Sequence, residues 1–481
     1  MKQKNKFIFI PLFTAVLLLL ISSCTHSGNW PQFRGPDGNV IAANKNLPDT
    51  WGNDKNIKWT YDIQATGWSS PVIWGNRVFF TSTFPEKVAP APQTGPGEPR
   101  PDEDGNREPA QNPPKGGQGP QQGPRPGQEP GGPRPEQNDT SFKAEIYRWD
   151  VTCVDLGTGK EMWKQTAYHG SPKSGKQQMN TYASETPVTD GKRVYAYFGM
   201  MGLYCYDMEG KLLWQSDLGS FKTQAGWGTG SSPILYQDIL YIQIDNEEHS
   251  FIAAIDAATG KEKWRSERDE KTNYSTPFVW KNKVRSELIA GGKTIRSYDL
   301  NTGKVIWELK AVGEQAIPSP IADMEHLYLG NEGGDQAKGK FYSVIAGAEG
   351  DITPKDSSAT SAWIEWSTSD AGLGSGSSLL YKGFIYNIGG RGEITVISAV
   401  DGKQIYKNRI NGMGSVWATA WACNDKIFFY DEKGVTHVIK AGAQFGQVAE
   451  NKLGDKFWAS VAIAGDKLVL RGVEKLWCIG K

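Results

Sequence analysis

A short motif recurs along this chain, and it restricts the possible folds more than any other feature. Three copies are nearly identical: Cys153-Val-Asp-Leu-Gly-Thr-Gly-Lys-Glu-Met-Trp163, Ala254-Ile-Asp-Ala-Ala-Thr-Gly-Lys-Glu-Lys-Trp264 and Ser297-Tyr-Asp-Leu-Asn-Thr-Gly-Lys-Val-Ile-Trp307. Cys205-Tyr-Asp-Met-Glu-Gly-Lys-Leu-Leu-Trp214 is one residue shorter, and Val400-Asp-Gly-Lys-Gln-Ile-Tyr406 carries Tyr in place of Trp. Each reads as a strand, a tight turn and a strand. The Asp can accept hydrogen bonds from turn amides, and the Gly supplies the positive φ that such turns demand. A second unit lies upstream of each copy: Ser-Ser-Pro71-Val-Ile-Trp-Gly-Asn-Arg-Val-Phe-Phe, then Glu-Thr-Pro187-Val-Thr-Asp-Gly-Lys-Arg-Val-Tyr, recurring near Pro233, Pro277, Pro320, Leu379, Ala420 and Val461. Eight such units, mostly a little over 40 residues apart, each hold about four short strands. That spacing predicts an all-β, eight-bladed propeller of four-stranded blades. No helical period runs longer than a turn or two, so α/β alternatives fail.

The last unit ends at Leu476-Trp-Cys-Ile-Gly480, before any outer strand bearing the repeat's Trp. Such a strand exists at the other end of the chain, Ile57-Lys-Trp59-Thr-Tyr-Asp62. The expectation is that it completes blade eight and so removes the unpaired edges of an open array.

Residues 1–23 read as a signal peptide. Lys2, Lys4 and Lys6 precede an apolar run from Phe7 to Ile21, too short for a spanning helix of about 20 residues. The run ends in Ile21-Ser-Ser-Cys24, which resembles the lipobox of bacterial lipoproteins and implies acylation of Cys24. Thr25 follows, where an inner-membrane retention signal would carry Asp. The expected address is an outer-membrane lipoprotein facing the periplasm, held to the membrane by its lipid alone. Residues 24–56 form the lipid-anchored N-terminal segment and 57–481 the propeller. Inside blade one, the stretch 85–140 holds 15 of the 27 prolines and almost no apolar side chains, so it is expected to be a disordered insertion. A smaller polar insertion, around Asp335 to Ser361, belongs to blade five.

Charge narrows the partners. With 53 basic and 53 acidic side chains the net charge is zero, which argues against a nucleic-acid binder. The five cysteines show no paired spacing, and the histidines show no metal or triad spacing. No metal site is expected.

The Asp-x-x-Thr-Gly-Lys-x-x-Trp copies resemble the tryptophan docking motif of quinoprotein dehydrogenases and PQQ-like propeller repeats. That resemblance implies that each Trp packs against the neighbouring blade. Trp163, Trp214, Trp264 and Trp307 hold the matching place, with Trp59 and Trp366 as further equivalents. A propeller on a lipobox also resembles the BamB family of outer-membrane assembly lipoproteins. Trp30-Pro-Gln-Phe-Arg-Gly-Pro-Asp37 looks like the start of many PQQ-like repeat proteins.

A PQQ dehydrogenase needs calcium on oxygen ligands and a base near the quinone. No catalytic residue of that kind can be matched, and the family's adjacent cysteine pair is missing. Cys153, Cys205 and Cys478 read instead as buried packing residues. Gly226-Trp-Gly-Thr-Gly-Ser-Ser232 and Gly372-Leu-Gly-Ser-Gly-Ser-Ser378 lead into strands rather than helices, so they are entry turns and not phosphate loops. One aromatic set stands outside the docking positions: Trp68, Tyr274, Trp417 and Trp458, each three residues before the repeat's proline position. They mark one mouth of the channel as the candidate ligand site, where they could stack a sugar, a quinone or an aromatic side chain, or simply fill the channel. Glu185 and Arg391 are the charged residues expected nearest. The leading expectation is a non-catalytic periplasmic scaffold binding protein partners of the cell envelope, with no cofactor. The alternatives are a PQQ- and calcium-dependent oxidoreductase and a carbohydrate-binding propeller.

Overall fold

A computed structural model describes residues 28–86, 145–313, 317–333, 338–355 and 358–481. The signal peptide, Cys24 and nearly all of the Pro-rich insertion lie outside the described residues. The described strands form eight sheets. Blade one is built from Val72–Trp74, Arg77–Glu86, Ile146–Asp155 and Glu161–Gly170, in that order from the channel outward. Blades two to seven repeat the meander over 188–216, 234–268, 278–310, 321–368, 379–409 and 421–452. Helical structure among the described residues is confined to single 3₁₀ turns such as Gly199–Met201, and none of it is long and apolar enough to cross a membrane.

The first strand completes the last blade. Ile57–Asp62 pairs antiparallel with Lys475–Ile479, with Thr60 opposite Trp477 and Asp62 opposite Lys475. The eighth sheet is therefore assembled from both ends of the propeller.

Middle strands such as Leu203–Asp207 are buried on both faces, whereas outer strands such as Glu262–Arg268 alternate between exposed and covered positions. This follows from blades stacking face to face: apolar clusters lie between neighbouring blades, as with Tyr195 and Ile242 between blades two and three. The repeat's turns close as their composition requires. The Thr158 amide and hydroxyl both donate to Asp155 Oδ1, at 2.7 and 2.8 Å, and Thr302 does the same to Asp299.

The docking tryptophans join one blade to the next. Trp264 Nε1 donates to the Leu300 carbonyl in blade four at 3.0 Å, and its indole covers Gly303. A Cβ on Gly303, which has φ +70°, would lie 2.5 Å from the ring. Trp59, Trp163, Trp214 and Trp366 make the corresponding bonds to Leu156, Met208, Ala257 and Ala399.

Trp307 departs from that pattern. Its ring belongs to the apolar cluster shared with Leu327 and Val344 of blade five, but its Nε1 donates at 2.9 Å to Glu287 of its own blade. Blade five has no Asp-x-x-Thr-Gly-Lys turn to receive it. Gly350 and Asp351, from the polar insertion assigned to blade five, instead pair in parallel with Trp307 and Glu308, adding a fifth strand to blade four.

Residues 29–55 are also built into the ring. Trp30 exchanges 2.8 Å backbone hydrogen bonds with Ile73 of blade one, Pro31 accepts from Thr189 of blade two, and the Gln32 side chain accepts from Leu235 of blade three. Gly38 abuts Phe278 of blade four, Arg34 donates to the Pro320 carbonyl entering blade five, Asn39 exchanges hydrogen bonds with Leu380 of blade six, and Val40 and Ala42 clasp Ala422 of blade seven. The segment thus threads past the innermost strands of seven blades before joining the eighth.

Candidate functional site

The site is a consequence of how each innermost strand begins. At that point every blade carries a Ser or Thr, and in seven of the eight seams its hydroxyl accepts the backbone N–H of the equivalent residue in the preceding blade. The chain of bonds runs Ser70 to Thr186 (3.0 Å), Thr186 to Ser232 (2.9 Å), Ser232 to Thr276 (3.1 Å), Thr276 to Ser319 (3.0 Å) and Ser319 to Ser377 (3.0 Å). It resumes from Thr419 to Ser460 (3.0 Å) and from Ser460 back to Ser70 (2.9 Å). These residues girdle the channel. The gap falls between blades six and seven, where the Thr419 hydroxyl is buried without a partner.

Above the girdle stand the aromatic residues anticipated from their place before the repeat's proline. Trp68, Tyr274, Trp417 and Trp458 line one cavity of about 390 Å³, together with Trp227, Met179 and the girdle side chains. Trp68 and Trp458 stack on each other, with ring centroids 4.6 Å apart and planes 21° apart. Trp68 Nε1 is fixed by the Met179 carbonyl at 2.8 Å. Trp417 is 36% exposed, with its Nε1 at 3.4 Å from a Glu432 carboxylate oxygen. Phe33 lines this cavity and also a second one of about 250 Å³, so the N-terminal segment partitions the channel.

Charged groups stand back from the cavity. Among its described lining residues there is no Asp, Glu, Lys, Arg or His. Glu185 sits between two lining residues, Ser184 and Thr186, but its own side chain is buried and takes the Thr229 hydroxyl. Burial raises its carboxyl from the ordinary value to about 7, against the opposing hydrogen bond from Thr229. Nothing is described of the Arg391 side chain. Cys153, Cys205 and Cys478 are fully buried free thiols held up to about 12 by burial, far from thiolate chemistry at neutral pH. No group of three or more His, Cys, Asp or Glu side chains among the described residues could hold a metal ion.

The girdle and the threading segment were not anticipated from the sequence. The repeated Ser/Thr before the proline was visible, as in Ser70, Thr186, Ser232 and Thr276, but its partner is an amide in another blade.

A family model described as outer membrane protein assembly factor BamB matches residues 148–310 and, overlapping, 206–344. The chain is an eight-bladed propeller that is similar, over residues 148–344, to BamB and PQQ-like repeats. No curated protein sequence matches it. Among solved structures, quinohemoprotein alcohol dehydrogenase from Comamonas testosteroni aligns over 94% of this chain and 80% of its own, with 11% identity and a TM-score of 0.55. A europium-containing methanol dehydrogenase aligns over 93% and 90%, with 10% identity and a TM-score of 0.55. BamB from Moraxella catarrhalis aligns over 68% of this chain and 90% of its own, with 13% identity and a TM-score of 0.49. At such identities the shared property is the fold.

Proposed function

We propose that the chain is a non-catalytic binding propeller of the cell envelope, an outer-membrane lipoprotein anchored through Cys24 that holds protein partners in the periplasm. The observation that carries this reading is the match of residues 148–344 to the BamB assembly-factor model. The lining of the central cavity is consistent with it, because binding needs no ionisable side chain there whereas acid–base chemistry does. The exposed outer strands at the blade rims offer edges with which an extended partner segment can pair.

PQQ is a flat quinone bearing carboxylates, and its calcium requires oxygen ligands, several of them carboxylate. Among the described residues the cavity supplies aromatic faces but no Arg or Lys for those carboxylates and no Asp or Glu for the ion. The residues present do not fit the group.

Affinity purification of the full-length protein from detergent-solubilised envelopes tests the scaffold reading. β-Barrel assembly components should co-purify, and Cys24→Ala should release the protein from the membrane fraction. Saturable tryptophan quenching by PQQ with calcium, accompanied by dye-linked alcohol oxidation, would overturn the reading.

A further inference from the structure

We propose that the central cavity is a binding site for a neutral carbohydrate, which stacks on the Trp417 and Trp68–Trp458 faces and hydrogen-bonds the hydroxyl girdle beneath them. This assignment does not depend on which protein partners the rim engages.

Three observations converge on that ligand class. The first is the state of the girdle. Ser70, Thr186, Ser232, Thr276, Ser319, Ser377 and Ser460 each accept one backbone amide, and none donates its own O–H proton to another described residue. A Ser or Thr hydroxyl is one donor with two acceptor sites, so each keeps a donor and one acceptor site for something in the channel. At the break in the girdle Thr419, only 2% exposed, has its hydroxyl oxygen unpartnered. That break lies in the blade that also carries Trp417.

The second observation is neutrality. A charged ligand entering this cavity would lose hydration and meet no opposite charge among the described lining residues, which is costly. A purely apolar ligand, such as a phenylalanine side chain, would strand the girdle's O–H groups without water or partner, at about 1–3 kcal/mol for each buried group. A molecule with apolar faces and many uncharged hydroxyls avoids both costs. Sugars have that constitution, with C–H groups on the ring face and hydroxyls at the ring edge.

The third is shape. At about 390 Å³ the cavity falls within the range of small-molecule sites, roughly 300–1,000 Å³. The stacked Trp68–Trp458 pair forms one broad wall, and the exposed Trp417 is oriented by Glu432.

The test uses the full-length protein in a detergent without a sugar headgroup. It is titrated with maltose, cellobiose and N,N′-diacetylchitobiose, with galacturonate and N-acetylphenylalaninamide as charged and aromatic controls. Tryptophan fluorescence and calorimetry are the readouts. At least one neutral disaccharide should saturate, and neither control should compete with it. Trp417→Ala should weaken that binding about tenfold at unchanged melting temperature, and Thr419→Val should weaken it as well. The assignment is overturned if no neutral disaccharide saturates, if Trp417→Ala binds as tightly as the parent, or if N-acetylphenylalaninamide displaces the sugar.

Discussion

The indole Nε1 of Trp59 donates to the carbonyl of Leu156 at 2.9 Å, bridging the seam between the blade that joins Ile57–Asp62 to Lys475–Ile479 and the blade that follows it. The same indole covers Gly159, where an added Cβ would approach the ring to 2.6 Å. Trp59→Ala removes a buried aromatic and a hydrogen bond together, a loss of about 3–5 kcal/mol. Deleting 57–62 exposes the edge of Lys475–Ile479 as well, so it should lower stability further than the point substitution. Denaturant unfolding of the three proteins would establish the order, and an unchanged midpoint after the deletion would show that the ring does not depend on this strand.

Trp307 offers an internal contrast. It donates to Glu287, whose carboxylate is fully buried and also takes bonds from Asn282 (2.6 Å) and Ser297. Trp264 donates to a main-chain carbonyl instead. Removing a donor from a buried carboxylate costs about 1–3 kcal/mol or more, against about 1 kcal/mol for an ordinary hydrogen bond. Trp307→Phe should therefore destabilise more than Trp264→Phe. Equal losses in thermal melts would mean that Glu287 finds its compensation elsewhere.

Glu185 makes stability depend on pH. Its carboxyl titrates at about 7 in the folded protein because burial disfavours the charged form; in the unfolded chain it titrates near 4.3. Between those values the folded state holds a proton that the unfolded state has released, so stability falls as pH rises through this window and the penalty is complete above about pH 7. Glu185→Gln removes the dependence. The variant should gain up to about 3 kcal/mol at pH 8 and almost nothing at pH 4.5. Melting curves collected across that range check the slope, and parallel profiles for the two proteins would refute it.

Arg268 and Asp245 form an ion pair with both side chains fully buried, Nε to Oδ1 at 2.8 Å and Nη2 to Oδ2 at 3.1 Å. Arg268 also donates to the Tyr298 hydroxyl and the Gly291 carbonyl. Arg268→Met strands a buried carboxylate, with an expected loss of about 3–5 kcal/mol. The double variant Arg268→Met/Asp245→Leu should recover much of that loss. A double variant as unstable as the single one would assign the loss to the Tyr298 and Gly291 bonds.

What could be read from the sequence was whatever repeats locally. The Asp, Thr and Gly of each turn act within a few residues of one another, so their spacing announces strand, turn and strand. The missing outer strand at the end of the chain pointed to Ile57-Lys-Trp59 in the same way. Trp68, Tyr274, Trp417 and Trp458 could be placed on one cavity because equivalent positions in successive blades face one channel. Features that depend on contacts between distant residues were hidden. Nothing in Trp30-Pro-Gln-Phe-Arg-Gly-Pro-Asp37 states that Arg34 will meet Pro320, or that Asn39 will pair with Leu380. Trp307 looked like its fellows, since the turn it lacks belongs to another blade. Glu185 was expected near the mouth and lies beside it in sequence, but its side chain turns away into the protein interior.

The joining of Ile57–Asp62 to Lys475–Ile479 also bears on biosynthesis. A chain made amino end first has its opening strand in hand long before the partner for that strand exists. The ring can close only once residue 479 has emerged from the ribosome, so closure is the last step in assembling the propeller. A product truncated by even its last strand does not forfeit one blade in eight; it leaves the opening strand unpaired and the seam to blade one without its support. Proofreading by proteases should thus be close to all-or-none, with incomplete chains cleared and only full-length ones retained.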